Sequence, residues 1–200
     1  MSSNLWPYRT PGIPDELFVR DERVPITKEE VRVIALSKAR LREGYRVIDV
    51  GSGTGSISIE ASMQVGSTGM VYAIERDADA LRLIRENVKR FGVTNVEIVE
   101  GDAMDVLGGM PEADAIFVGG AGGRMYDIVR LACTRLRSKG RIVIDTIMVE
   151  SMSSALNAIN DLGLVGVEVT QIMIAKGRRV STGTMLISRN PVLVISAERA

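Results

Sequence analysis

Val47-Ile48-Asp49-Val50 runs straight into Gly51-Ser52-Gly53-Thr54-Gly55, and Ile57-Ser58-Ile59-Glu60-Ala61 then opens a helix. A buried strand, a turn with three glycines at alternate positions and a helix define the first unit of a doubly wound α/β sheet. In such a turn the backbone comes close to a bound nucleoside because no Cβ stands in the way. Two further strand ends support this. Glu75 closes the apolar run Tyr72-Ala73-Ile74, where a carboxylate can accept both ribose hydroxyl hydrogens. Gly101-Asp102-Ala103 follows a third strand and offers a side chain and a backbone N–H to the edge of a base.

The glycine spacing narrows the choice of nucleoside. A dinucleotide fingerprint is G-x-G-x-x-G, because the helix N-terminus must close on a pyrophosphate. Here the spacing is G-x-G-x-G, and Ser56 stands where the last dinucleotide glycine would be. This resembles the first motif of class I S-adenosylmethionine-dependent methyltransferases, whose cofactor has no phosphate. The resemblance implies S-adenosyl-L-methionine as cofactor, with Gly51, Ser52, Gly53, Thr54, Gly55, Glu75, Asp102 and Ala103 as its binding residues. The competing readings are a doubly wound domain with merely tight turns, and a nicotinamide site, which Ser56 disfavours.

Composition excludes several chemistries. The chain of 200 residues contains no histidine, which removes His-based general bases, Ser-His-Asp triads and imidazole metal sites. No metal site is expected. Methyl transfer from a sulfonium needs none of these, because the leaving group is already cationic and positioning supplies much of the rate. Twenty-five basic and twenty-five acidic residues cancel, so nothing suggests a general nucleic-acid or membrane surface. No apolar run approaches a membrane span, and Met1-Ser2-Ser3-Asn4-Leu5-Trp6-Pro7 lacks a signal-peptide pattern, so a cytoplasmic protein is expected. Cys133, the single cysteine, reads as a small core residue.

The elements can be set out in order. Pro7, Pro11, Pro14 and Pro25 forbid a continuous helix in the lead. Thr27-Lys28-Glu29-Glu30 has the form of a capping box and predicts a helix from Thr27 to about Arg42. Strands are expected at 46–50, 70–75, 96–100, 113–118 and 141–146, with helices at 55–65, 78–91, 125–136 and 150–162. Two last strands, at about 165–174 and 184–196, are expected to be joined by a loop over 175–183. The expected fold is a Rossmann-like α/β domain: a seven-stranded, mostly parallel sheet with one antiparallel strand and helices on both faces. One domain spans 1–200, with a lead and capping helix over 1–43 and the core over 44–200.

The substrate face collects the lead, the run Gly119-Gly120-Ala121-Gly122-Gly123 after the fourth strand, and the loop between the last two strands. Its candidate charges are Arg9, Arg20, Arg23, Lys28, Arg124, Lys176, Arg178 and Arg179. Each is also an ordinary solvated charge. Together they suit a polycarboxylate, and the glycines leave room for a broad planar ligand. Strand four ends in Val118-Gly119-Gly120 rather than in an Asn-Pro-Pro-aromatic motif, so nothing there grips an amino group. That weakens DNA and protein-glutamine targets.

The lead carries a narrower resemblance. Pro11-Gly12-Ile13-Pro14-Asp15-Glu16-Leu17-Phe18 and Val24-Pro25-Ile26-Thr27-Lys28-Glu29-Glu30-Val31-Arg32 resemble the start of the CbiT-type family of cobalamin biosynthesis. These are the cobalt-precorrin-6B or precorrin-6B C15-methyltransferases, which also decarboxylate the acetate on C12. The segments Asp49–Ile59 and Phe117–Gly123 are similar as well. The resemblance implies a tetrapyrrole substrate and a homotetramer; from the substrate face set out above, Arg20, Gly119, Gly120, Arg124 and Lys176 are the candidate substrate-binding residues. It also implies that Thr27, besides capping its helix, lies beside the methionine carboxylate. Nucleic acid and membrane are not expected partners. The sequence assigns no catalytic residue; Glu16, Asp15 and Tyr126 are open candidates for a proton donor. A tRNA-adenine methyltransferase and a nucleoside-binding regulatory subunit remain as alternatives.

Overall fold

The computed structural model describes residues 5–200; residues 1–4, and with them the first part of the signal-peptide reading, lie outside. The strands are β1 (Arg46–Val50), β2 (Met70–Glu75), β3 (Val96–Glu100), β4 (Ala113–Val118), β5 (Leu136–Thr146), β6 (Val165–Ile172), β7 (Ala175–Val180), β8 (Gly183–Ser188) and β9 (Val192–Glu198). Helices α1 (Glu29–Ala39), α2 (Ser56–Val65), α3 (Ala78–Phe91), α4 (Ala103–Val106), α5 (Met125–Arg135) and α6 (Val149–Asp161) join them. One seven-stranded sheet has the order β3-β2-β1-β4-β5-β9-β6. Strand β9 runs antiparallel to both β5 and β6, and the other pairs are parallel. The order reverses between β1 and β4, which opens a crevice over their carboxyl ends.

Alternation along the central strands assigns the two faces. Ile48, Val50, Ile116 and Val118 pack with Ile128, Val129, Ala155 and Ile159 of α5 and α6. Val47, Ala115 and Phe117 point the other way, onto Val31 and Ala35 of α1 and Ile57 and Ala61 of α2. A sheet covered on both faces explains why these strands read as almost unbroken apolar runs. Helix α3 is capped by Asp77, which accepts from Ala80 N–H at 2.9 Å.

Three expectations need correction. Helix α1 does not start at Thr27. Its N-cap is Lys28, which makes no side-chain cap, and the helix ends at Arg40 in the left-handed conformation rather than at about Arg42. The first-turn N–H of Glu29 is taken by Asp15 Oδ1 at 3.0 Å, so a carboxylate from the lead serves where a capping hydroxyl was expected. The loop over 175–183 is instead most of a β-hairpin: β7 pairs with β8 as a separate two-stranded sheet. Strand β5 also begins earlier, at Leu136.

The lead is fixed by a buried ionic knot. Arg32, with no exposed surface, donates from Nε to Glu60 Oε1 at 2.5 Å, from Nη1 to Asp15 Oδ1 at 3.4 Å, and to the carbonyls of Thr27 and Ile13. Glu60 also accepts from the N–H groups of Gly12 at 2.7 Å and Ile13 at 2.9 Å. Asn87 ties Val19 to the glycine turn by donating to the carbonyls of Val19 and Thr54, both at 2.9 Å. The two lead segments that carry the family resemblance therefore meet at one guanidinium. Their shared effect is to lay residues 23–28 along the crevice.

Candidate active site

The crevice is a cavity of about 1020 Å³. It runs from the glycine turn and the end of β2, across the second glycine run, to the end of β5 and the segment before β9. Gly51 adopts φ +74°, and a Cβ there would stand 3.1 Å from Gly120 N and O, so the two glycine runs touch. At Gly55, φ is +79° and a Cβ would stand 2.5 Å from Ile84, so α2 can start there only without a side chain.

At the end of β2, the Glu75 carboxylate accepts N–H groups from Gly53 at 2.8 Å, Arg76 at 2.8 Å and Asp77 at 2.9 Å. It thereby fixes the glycine turn and faces the cavity. Ser52, also in the cavity wall, has its Oγ buried without a hydrogen-bond partner among the described residues. A cofactor with a ribose and no phosphate fits this cradle: Glu75 would take its hydroxyls, and the glycine floor gives room for a sulfonium. Bound there, such a cofactor supplies an electrophilic methyl group.

Asp102 Oδ1 caps α4 by accepting Met104 N–H at 2.9 Å. Its Oδ2 accepts from Arg76 Nη1 and Arg124 Nη2, both at 2.7 Å. The Arg124 bond, then the Met104 N–H and Arg76, hold its carboxyl well below the usual carboxylate range. Two residues assigned to different ligands thus pair with each other, Arg124 in the cavity wall and Asp102 just outside its lining.

Of the remaining candidates, Thr27, Gly51, Ser52, Gly53, Ala103, Gly119, Gly120 and Arg124 line the cavity. Thr54 is buried behind the turn, its Oγ1 unpartnered. Arg20 is exposed and outside the cavity wall. Lys176 is also outside it, pairing with Glu29 at 3.2 Å and Glu30 at 2.6 Å; the Glu30 bond raises its pKa. The three proton-donor candidates do not line the cavity. Asp15 belongs to the knot, Glu16 is exposed, and Tyr126 donates to Asp161 at 2.7 Å.

Sequence reasoning missed Arg189 and Asp145, both in the cavity wall. Arg189 pairs with Asp15 at 3.6 Å and Glu30 at 3.9 Å. Asp145 ends an apolar run at the carboxyl end of β5, just as Asp49 ends Val47-Ile48 in β1, and that pattern was the available signal. Burial pushes Asp145 up to about 6. Asp49, 2% exposed, is pushed up to about 7 by burial, with Asp145 and Glu75 adding repulsion and a 2.5 Å hydrogen bond from Ser58 Oγ opposing it.

Comparison with known proteins agrees with this geometry. The model of the precorrin methyltransferase domain matches residues 16–199. A probable cobalt-precorrin-6B C(15)-methyltransferase (decarboxylating) from Pyrobaculum calidifontis is 49% identical over 193 residues, covering 96% of this chain and 98% of that protein. One of the same name from Sulfolobus acidocaldarius is 48% identical, covering 96% and 99%. The crystal structure of precorrin-8W decarboxylase from Methanobacterium thermoautotrophicum superposes with a TM-score of 0.87 at 36% identity, over 92% of this chain and 98% of that one. That of precorrin-6Y C5,15-methyltransferase from Geobacter metallireducens gives 0.89 at 36% identity, over 96% and 100%. With its three strand-end signals around one crevice and matches over nearly its whole length, this chain belongs to the precorrin methyltransferase family.

Proposed function

We propose that the chain works as one domain that transfers a methyl group from S-adenosyl-L-methionine to C15 of cobalt-precorrin-6B or precorrin-6B and decarboxylates the C12 acetate. The observation that carries this is that one continuous cavity of about 1020 Å³ runs from the Glu75 end across the glycine floor to Arg189. Ligand pockets run to roughly 300–1,000 Å³, so this one has room for a nucleoside cofactor and part of a broad ring together. Arg124 and Arg189 suit ring carboxylates. Gly119 and Gly120 present no side chain to a planar face. Thr27, Gly51, Ser52, Gly53, Glu75 and Ala103 would hold the cofactor, with Asp102 beside its base. A reduced tetrapyrrole bridge carbon is enamine-like and needs little activation, so the protein's part is to align, bind carboxylates and exclude water.

The reading carries with it a cytoplasmic enzyme that assembles as a homotetramer. Among the described residues no helix is long and apolar enough to cross a membrane. Met185, Leu186 and Ile187 of β8 and Val165, Val167 and Val169 of β6 are exposed, which supports self-association. The deciding experiment incubates the protein with labelled S-adenosylmethionine and precorrin-6B, with and without cobalt, following mass and carbon dioxide. One methyl gained and one carbon dioxide lost is the expected result. Absence of both, with salt-sensitive tRNA binding, would refute it.

A further inference from the structure

We propose that Asp145 is the proton donor of the decarboxylation, delivering a proton to the acetate methylene carbon that carbon dioxide leaves. This role rests on the decarboxylating reading above.

Position comes first. Strand β5 pairs with β4 with Val118 opposite Ile144, which brings Asp145 level with Gly119 at the start of the second glycine run. A Cβ on Gly119 would lie 3.9 Å from Asp145 Oδ1, so the missing side chain leaves the carboxyl open to the cavity floor. This is the β5 side of the crevice, away from the Glu75 end where the nucleoside would sit.

Elimination points the same way. Three carboxylates line the cavity: Glu75, Asp77 and Asp145. Glu75 is occupied by three backbone N–H groups, and Asp77 caps α3. Asp145 alone makes no side-chain hydrogen bond or ion pair with another residue among those described. The arginines of the wall stay charged at any working pH and serve as anion holders rather than acids. Asp49, also a raised carboxyl, does not line the cavity and is too deeply buried to reach a ligand. Burial already raises Asp145 to about 6, so a protonated fraction persists near neutrality.

The bond between the acetate methylene and its carboxylate breaks, carbon dioxide leaves, and the electron pair flows into the methylated, cationic ring. The O–H bond of Asp145 then breaks, its proton joins the methylene carbon to form a methyl group, and its electrons stay on the Asp145 carboxylate. The ring electrons form the new C–H bond, and the iminium left behind gives up its N–H proton to water, which reprotonates Asp145. No oxidant, reductant or metal is required.

The test compares the parent with Asp145→Asn, Asp145→Ser and Asp145→Glu in single turnovers on precorrin-6B. Label transfer counts methyl groups, and mass counts acetates converted to methyl. Melting curves and absorbance titration of the tetrapyrrole check fold and binding. The parent should convert about one acetate per methyl transferred. Without the acid that ratio should fall below about one tenth in the Asn and Ser variants, given a general-acid contribution of roughly 10²–10⁴, and Asp145→Glu should recover most of it. An unchanged ratio in both variants overturns the role. So does a loss of both reactions in step with weaker tetrapyrrole binding, which would make Asp145 a binding residue. A parent that performs neither reaction overturns the substrate reading, and this role with it; a parent that performs both while the variants keep its ratio overturns this role alone.

Discussion

Asp49→Asn should gain stability relative to the parent as pH rises from 4.5 to 8. In the unfolded chain Asp49 loses its proton near the ordinary 3.8; in the folded protein burial raises this to about 7. Between those values the native state holds one more proton than the unfolded state, so stability falls as pH rises through this window and levels off above it. The rise from 3.8 to about 7, at 1.36 kcal/mol per pKa unit, corresponds to about 4 kcal/mol of native-state destabilisation fully developed by pH 8. Asparagine carries no charge at either end of the window, and its Oδ1 can still accept the Ser58 hydroxyl. Its new N–H groups cost about 1–3 kcal/mol if unsatisfied, but that cost is the same at every pH. The quantity to measure is therefore the variant-minus-parent free energy from urea unfolding at pH 4.5, 6 and 8. It should become more favourable to the variant by about 3 kcal/mol across the series, because about 1 kcal/mol of the total has already developed by pH 4.5. Asp145 titrates in both proteins and cancels from the difference to first order. A variant-minus-parent difference that stays flat with pH would refute the assignment of Asp49 as a buried acid that holds its proton up to about pH 7.

Other outcomes follow from the same geometry. Glu75→Ala should weaken S-adenosylmethionine binding more than any other carboxylate-to-Ala change, because each charge-assisted hydrogen bond is worth about 1.5–3 kcal/mol; unchanged affinity by calorimetry would remove Glu75 from the site. Thr27→Ala should lower that affinity with a change in stability of only about 0.5 kcal/mol, since Lys28 rather than Thr27 is the N-cap, and Thr27→Ser should restore it. A large drop in melting temperature without loss of affinity would reverse that assignment. Arg32→Ala leaves Glu60 and Asp15 buried without their cation and should cost about 3–5 kcal/mol in urea unfolding; a cost below about 1 kcal/mol would dismiss the knot as a stabilising feature. Light scattering at micromolar concentration should give four times the mass of one chain, and a monomer mass would exclude the tetramer.

Where local pattern decides structure, the sequence was legible. Strands β1 to β4 and helix α3 fall on their expected residues because short apolar segments of the strands and the helical spacing of Leu81, Ile84, Val88 and Phe91 act locally. The hairpin was not legible. Ala175-Lys176-Gly177-Arg178-Arg179 lacks apolar alternation, and its strand character comes from pairing with β8 and from Lys176 reaching Glu29 and Glu30 on α1. Thr27 shows the converse error: a capping-box pattern was present, but Asp15, 14 residues away from Glu29, reached the helix start instead. Within the site, Glu75 and the glycines announced themselves by their place at strand ends. Asp145 and Arg189 lie on segments whose neighbours in space come from distant parts of the chain, so only the assembled sheet shows that they face the same cavity.

The position of β9 bears on how the chain folds during synthesis. β9 is sixth in the sheet but last in the sequence, and β6, at the edge, pairs only with it. On the ribosome β6 therefore emerges before the strand that ties it to β5, with the whole β7–β8 hairpin made in between. Until β9 arrives, β5 has a bare edge and β6, with Val165, Val167 and Val169 along it, has no partner at all. The N-terminal five strands can assemble as they are made, whereas the last edge waits. That interval is the stage at which a nascent chain of this topology is most open to chaperones and to pairing with the wrong strand.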